Sequence, residues 1–124
     1  MKEAAAVAFF NLAAAVGLGA FGTHALQARI EPDQLAIWKT SQGYHLGVGV
    51  AILAIMALPL LAERTRKRAA WAMLAGTALF SGSLYALAVG APRIAGAITP
   101  FGGATWIVTL VILGVSVYRS KQAA

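Results

Sequence analysis

Of the chain's 124 residues, 60% are hydrophobic, ten are Lys or Arg and four are Asp or Glu, and the mean hydropathy of +0.75 places it in the membrane class. The length allows one domain, and no alternating apolar and polar pattern is present that would build a transmembrane barrel. The absence of cysteine removes disulfides, thiolate catalysis and Cys-ligated zinc or iron-sulfur sites; the net charge of +6 is no nucleic-acid footprint, because its one basic cluster, Arg64, Arg66, Lys67 and Arg68, sits in a short link with no base-reading or stacking face.

The charges divide the chain into four uncharged runs, residues 4–28, 40–62, 69–92 and 94–118. Each exceeds the about 20 apolar helical residues that cross the hydrocarbon layer. The predicted fold is all-α. It is an integral membrane four-helix bundle forming one domain over 1–124, with spans near 4–24, 42–62, 69–91 and 101–118 and a short amphipathic helix between helices one and two.

The first run follows Met1-Lys2-Glu3 and is too long for the core of a secretory signal, so it is read as a retained helix. Asn11, Ala15, Leu18 and Gly22 share one face, where small residues admit a neighbouring backbone and Asn11 can bond across to it. Residues 19–45 then form a polar connection carrying both histidines, His24 and His45. Glu31-Pro32-Asp33 is a helix start, since Pro suits the first turn and acids suit the positive N-terminal end. The amphipathic helix begun there either lies at the interface or runs straight into the second span, with Trp38 and Tyr44 at headgroup level.

In the second span Gly43, Gly47 and Ala51 make a small-xxx-small ridge for close contact with another helix, in this chain or a second copy. Pro59 should kink or end the span. The third run carries Met73, Thr77, Ser81 and Tyr85 at intervals of four, beside Gly82 and Ser83. Its hydroxyls are read as bonding back to the preceding turn or across to a partner helix, with a solute path as the alternative. Gly82, with Gly102 and Gly103 of the Thr99-Pro100-Phe101-Gly102-Gly103 turn, is assigned to helix contacts. Thr105, Thr109, Ile112 and Ser116 share a face of the fourth run, so helices three and four are expected to meet along hydroxyl-bearing sides.

Four crossings put Lys2, Arg64, Arg66, Lys67, Arg68, Arg119 and Lys121 on one side, and Arg29, Lys39 and Arg93 on the other. This bias predicts cytoplasmic termini. His24, Tyr44, His45, Ser83, Tyr85, Arg93 and Thr99 then gather in the non-cytoplasmic half. Two histidines there could ligate haem or copper, with Arg93 holding an anion or a propionate. The preferred reading is a hydrogen-bonded lid in which these groups satisfy one another and the helix ends. No cofactor, metal or catalytic residue is expected. The uncharged runs argue against ion-coupled transport.

Gly19 to Leu26 (GAFGTHAL), Trp38 to His45, Phe80 to Tyr85 (FSGSLY) and Thr99 to Gly103 (TPFGG) resemble, in order, the four blocks of domain-of-unknown-function family 423. Those are small bacterial inner-membrane proteins, similar to the eukaryotic transmembrane protein 256 group. Thr23 and Phe101 depart from the usual residues. The resemblance implies four helices and a bacterial cytoplasmic membrane, and it brings no activity. The function expected from the residues is that of a structural or interaction protein whose partners are the lipid bilayer and either another membrane protein or further copies of itself. An oligomeric small-solute channel or carrier, and a redox protein using His24 and His45, are the alternatives.

Overall fold

A computed structural model of the protein describes residues 1–120, all helix and short connections with no strand among them. Helix α1 runs Lys2–Leu26, α2 Pro32–Ala57, α3 Glu63–Ala88 and α4 Thr99–Arg119, the last preceded by a 3-10 turn at Arg93–Ala97. All four are long and apolar enough to cross a membrane. Lys121, counted in the charge argument, lies outside the described residues.

The helix ends follow local chemistry. Glu31 N–H donates to the Gln34 side chain at 3.1 Å, closing the first turn of α2. Nothing breaks the helix after Pro32, so the amphipathic segment is not a separate helix: it forms the first turns of α2 itself. At the other end Leu58 takes extended angles (φ −79°, ψ 118°), as a residue before proline must, and α2 stops at Ala57 rather than near 62. The connection is therefore residues 58–62. The basic residues expected in a link stand instead in the first two turns of α3, because Arg and Lys are good helix formers and only their charge, not their backbone, is excluded from hydrocarbon. Helix α3 closes in a Schellman turn: Gly90 has φ +106°, its N–H reaches Leu87 O, and Ala91 N–H reaches Ala86 O.

Helix α1 lies against α2 and, more lightly, α3; α2 packs along α3; α4 packs along the other side of α3. The core is made of Ala4, Ala8, Ile52, Met56, Ala70, Met73 and Trp106. Small residues set the spacing. A Cβ on Gly102 would strike the Phe80 N and the Gly76 O, and one on Gly76 would lie 2.6 Å from the Trp106 ring, so α3 and α4 cross with their backbones nearly touching. That face of α4 carries Gly102 and Trp106, its two buried residues, rather than the Thr105/Thr109 stripe expected there. Thr105 Oγ1 instead donates back to Phe101 O at 2.8 Å.

Candidate functional site

The buried polar centre joins three helices. On α1, Ala4, Ala8 and Ala15 are fully buried and the same face carries Asn11. On α2 the buried positions are Trp38, Ser41, His45, Gly49, Ile52 and Met56, spaced by three or four residues along one face. On α3 they include Met73, Gly76, Thr77 and Ser81. Where these faces meet, His45 Nδ1 lies 2.9 Å from the Tyr85 hydroxyl and Nε2 lies 2.8 Å from Asn11 Oδ1. With the ring proton on Nε2, Tyr85 donates to Nδ1 and His45 donates to Asn11. The line Tyr85, His45, Asn11 is then continuous, and it ends on Asn11 Nδ2, buried and without a partner among the described residues.

A second joint lies one turn away. Ser41 Oγ donates to Ser81 O at 2.8 Å and Ser81 Oγ donates to Ser41 O at 3.3 Å, a reciprocal pair between α2 and α3. Thr77 Oγ1 donates back to Met73 O at 3.0 Å, and the Trp106 indole donates to the same carbonyl at 3.1 Å. The hydroxyls of Thr77, Ser81 and Tyr85 are thus each hydrogen-bonded within the chain, and the same three residues line a recess of about 470 Å³ with Asn11 and His45.

Trp38, placed by sequence reasoning at headgroup level, is buried. Its indole donates to Leu18 O at 3.0 Å and its ring lies 4.6 Å from Tyr85. Leu18 opens a π-helical turn, Leu18–Gly22, within α1. The glycines of that turn explain the first sequence block: a Cβ on Gly19 would lie 2.5 Å from the Gln42 side chain, and one on Gly22 would lie 2.7 Å from Trp38. A widened turn with side-chain-free surfaces is what lets α2 seat two bulky residues against the end of α1.

The seven residues expected to form one lid fall into separate groups. His45 and Tyr85 join as described. Thr99 donates to Ser83, which donates to Phe80 O at 2.9 Å, tying α4 to the last turns of α3. Tyr44 makes no hydrogen bond among the described residues; it is half exposed and packs edge-on against Phe80 at 4.9 Å and along Trp106 at 6.0 Å. His24 and Arg93 are exposed and bonded to none of the others. Their positions at helix ends, beyond the buried faces, account for this. Both ring nitrogens of His45 are committed inside the chain, so the pairing of His24 with His45 around a haem or copper has no free imidazole to supply from His45. Among the described residues no group of three His, Asp or Glu side chains is placed to hold a metal ion.

The glycine assignments also divide. Gly102 sits at the tight crossing, and Gly103 is in ordinary contact with the Phe80 ring at 3.5 Å. Gly43, Gly47 and Gly82 have nothing within 4 Å of a Cβ and face outward. Sequence reasoning passed over Gly49, where a Cβ would lie 3.2 Å from Leu12, and Gly76. The three-or-four spacing from Trp38 to Met56 was the available signal for Gly49.

Four helices of spanning length, three of them joined by buried polar side chains, define a small polytopic membrane protein. The chain belongs to the family described as "Protein of unknown function (DUF423)", whose model matches residues 18–103. It is 39% identical over 121 residues to the UPF0382 membrane protein YwdK of Bacillus subtilis, covering 96% of this chain and 98% of that one. It is 35% identical to the UPF0382 membrane protein SAB0533 of Staphylococcus aureus, covering 88% and 89%, and 34% identical to SSP2132 of Staphylococcus saprophyticus, covering 96% and 99%. No solved structure matches the chain. The matched segment contains the π turn, Trp38, Ser41, His45, Ser81, Tyr85 and Gly102; Asn11 lies outside it.

Proposed function

We propose that the protein is a non-catalytic interaction protein of the bacterial cytoplasmic membrane, assembling through the outward ridge of α2 with both termini in the cytoplasm. The observation that carries this reading is the state of Gly43 and Gly47. They lie one turn apart on an exposed face, with open space where a Cβ would be. Beside them is a recess of about 540 Å³ walled by Lys39, Thr40, Tyr44 and Val48. Two side-chain-free turns on a lipid-facing helix allow a second helix to approach closely. The occupant that suits this spacing best is a second copy, since the same ridge on both partners is self-complementary about a twofold axis. His45, Thr77, Ser81 and Tyr85, which would otherwise argue for a pathway or a redox site, are hydrogen-bonded within the chain, which supports assembly over either alternative.

The test uses the lack of native cysteine. In native membranes under oxidising conditions, Gly47→Cys should form a disulfide-linked dimer, while Gly82→Cys, on an equally open surface, should remain monomeric. A Gly47→Cys protein that stays monomeric, or couples to a different chain, would replace self-assembly by a heterologous partner. For topology, Gln34→Cys should react with an impermeant maleimide on intact cells and Lys67→Cys only after permeabilisation; the reverse would invert the orientation.

A further inference from the structure

An apolar cleft of about 430 Å³ lies between the second half of α2 and α4. Ala51, Ala54 and Ile55 form one wall, and Leu110, Leu113 and Gly114 form the other. It exists because α4 is held by α3 and reaches α2 through rings: Tyr44 stacks on Trp106 one turn before Leu110, and below that contact small residues leave the two helices apart.

The far end of the cleft is lined by Arg66. Arg66 is half-buried and held in place, with Nε donating to Leu61 O at 3.0 Å and Nη1 donating to Met56 O. The Nη1 bond occupies an orphaned carbonyl where α2 ends and the Nε bond a carbonyl of the 58–62 connection, and they leave Nη2 without a partner among the described residues. Around it the first two turns of α3 expose Arg64, Lys67 and Arg68 against a single acid, Glu63. An apolar slot that ends at a fixed guanidinium within a cationic collar has the chemistry of one kind of molecule, an acyl chain carrying an anionic headgroup. We propose that this cleft binds a phospholipid with an anionic headgroup, its chain lying between α2 and α4 and its phosphate on Arg66.

Charge complementarity selects this occupant over another helix. A helix would bring further apolar surface to the walls but nothing to meet the guanidinium, whereas a phosphate takes charge-assisted bonds from Arg. Ala51, in the cleft wall, follows Gly47 by one turn, so the cleft begins where the Gly43 and Gly47 ridge ends, and the lipid proposal needs no residue of that ridge.

Native mass spectrometry of the full chain in mild detergent, offered equal phosphatidylglycerol and phosphatidylcholine of identical acyl chains, tests it. One phosphatidylglycerol per chain should be retained in preference to phosphatidylcholine by about fivefold or more, the gain expected for each basic group near an anionic headgroup. Arg66→Gln should remove that preference. Because Arg66 also closes the end of α2, a second variant is needed: Gly114→Phe, at an outward position with nothing within 4 Å of its Cβ, should fill the cleft and remove both lipids while the melting temperature holds. Equal retention of the two lipids, a phosphatidylglycerol adduct that survives Gly114→Phe, or its displacement by inorganic phosphate at matched ionic strength would overturn the proposal.

Discussion

The two faces of α2 carry opposite chemistry, and each is the reverse of what a water-soluble helix would show. The inward face presents Trp38, Ser41 and His45 before it becomes apolar at Ile52 and Met56. The outward face presents Gly43, Gly47 and Val50. In lipid an apolar side chain loses nothing by facing out, whereas an unpaired donor or acceptor facing hydrocarbon costs several kcal/mol by order of magnitude. Polar atoms are therefore drawn inward, where Asn11, Tyr85 and Ser81 meet them. Small residues follow no such rule. Gly49 is inward because Leu12 needs its space; Gly47, two positions earlier, is outward with nothing against it.

Leucine at these two glycines gives the sharpest test of that contrast. Gly49→Leu should be the most damaging change on α2, costing about 1 to 3 kcal/mol or preventing assembly of α1 on α2, because a side chain there drives into Leu12 and Asn11. Thermal unfolding in detergent would show it as a clear loss of melting temperature. Should Gly49→Leu unfold no earlier than wild type, the packing of α1 against α2 described here is wrong.

His45→Ala should come next, at about 1 to 3 kcal/mol, since it strands the Tyr85 hydroxyl and the Asn11 amide together. Tyr85→Phe should cost less, and a double-mutant cycle between His45 and Tyr85 should return a coupling of about 0.6 to 1.7 kcal/mol, the range found for hydrogen bonds between transmembrane helices. A coupling of zero would mean that the two residues do not share a bond in the membrane.

Ser41→Ala removes one arm of the reciprocal serine pair and leaves Ser81 Oγ its acceptor on Ser41 O. The expected loss is about 0.6 kcal/mol, resolved by comparing Ser41→Ala and Ser81→Ala with the double variant. The smallest effect belongs to the outward face. Gly47→Leu should leave the stability of the monomer within about 0.5 kcal/mol of wild type while weakening dimer formation measured by concentration-dependent energy transfer between labelled copies. His24→Ala and Arg93→Ala should likewise be near neutral in thermal unfolding, since neither residue touches the buried joint.

Much of this molecule is written in the order of its residues. Four charge-free runs longer than the hydrocarbon layer dictate four helices, because backbone groups in lipid must be bonded within the segment. Pro59 ends α2 through the restriction it places on Leu58. Glu31 and Gln34 start it, and the glycines around Phe21 mark a place where something approaches closely. Asn11 was recognisable as a group that bonds to another helix, since an amide cannot face hydrocarbon unpaired. Which group it meets was not recognisable, and neither was the division of the expected lid, in which His45 turns inward and His24 stays outside. Those outcomes depend on the rotation of each helix about its own axis and on how far one slides along another. A 100° step per residue places His45 and Gly49 on one side and Gly43 and Gly47 on the other, but glycine has no side chain whose solvation prefers lipid or protein. The rotation was set instead by the sum of contacts across all four helices, by Gly76 against Gly102, Trp38 against the π turn and Ser41 against Ser81, and such a sum exists only once the helices are together.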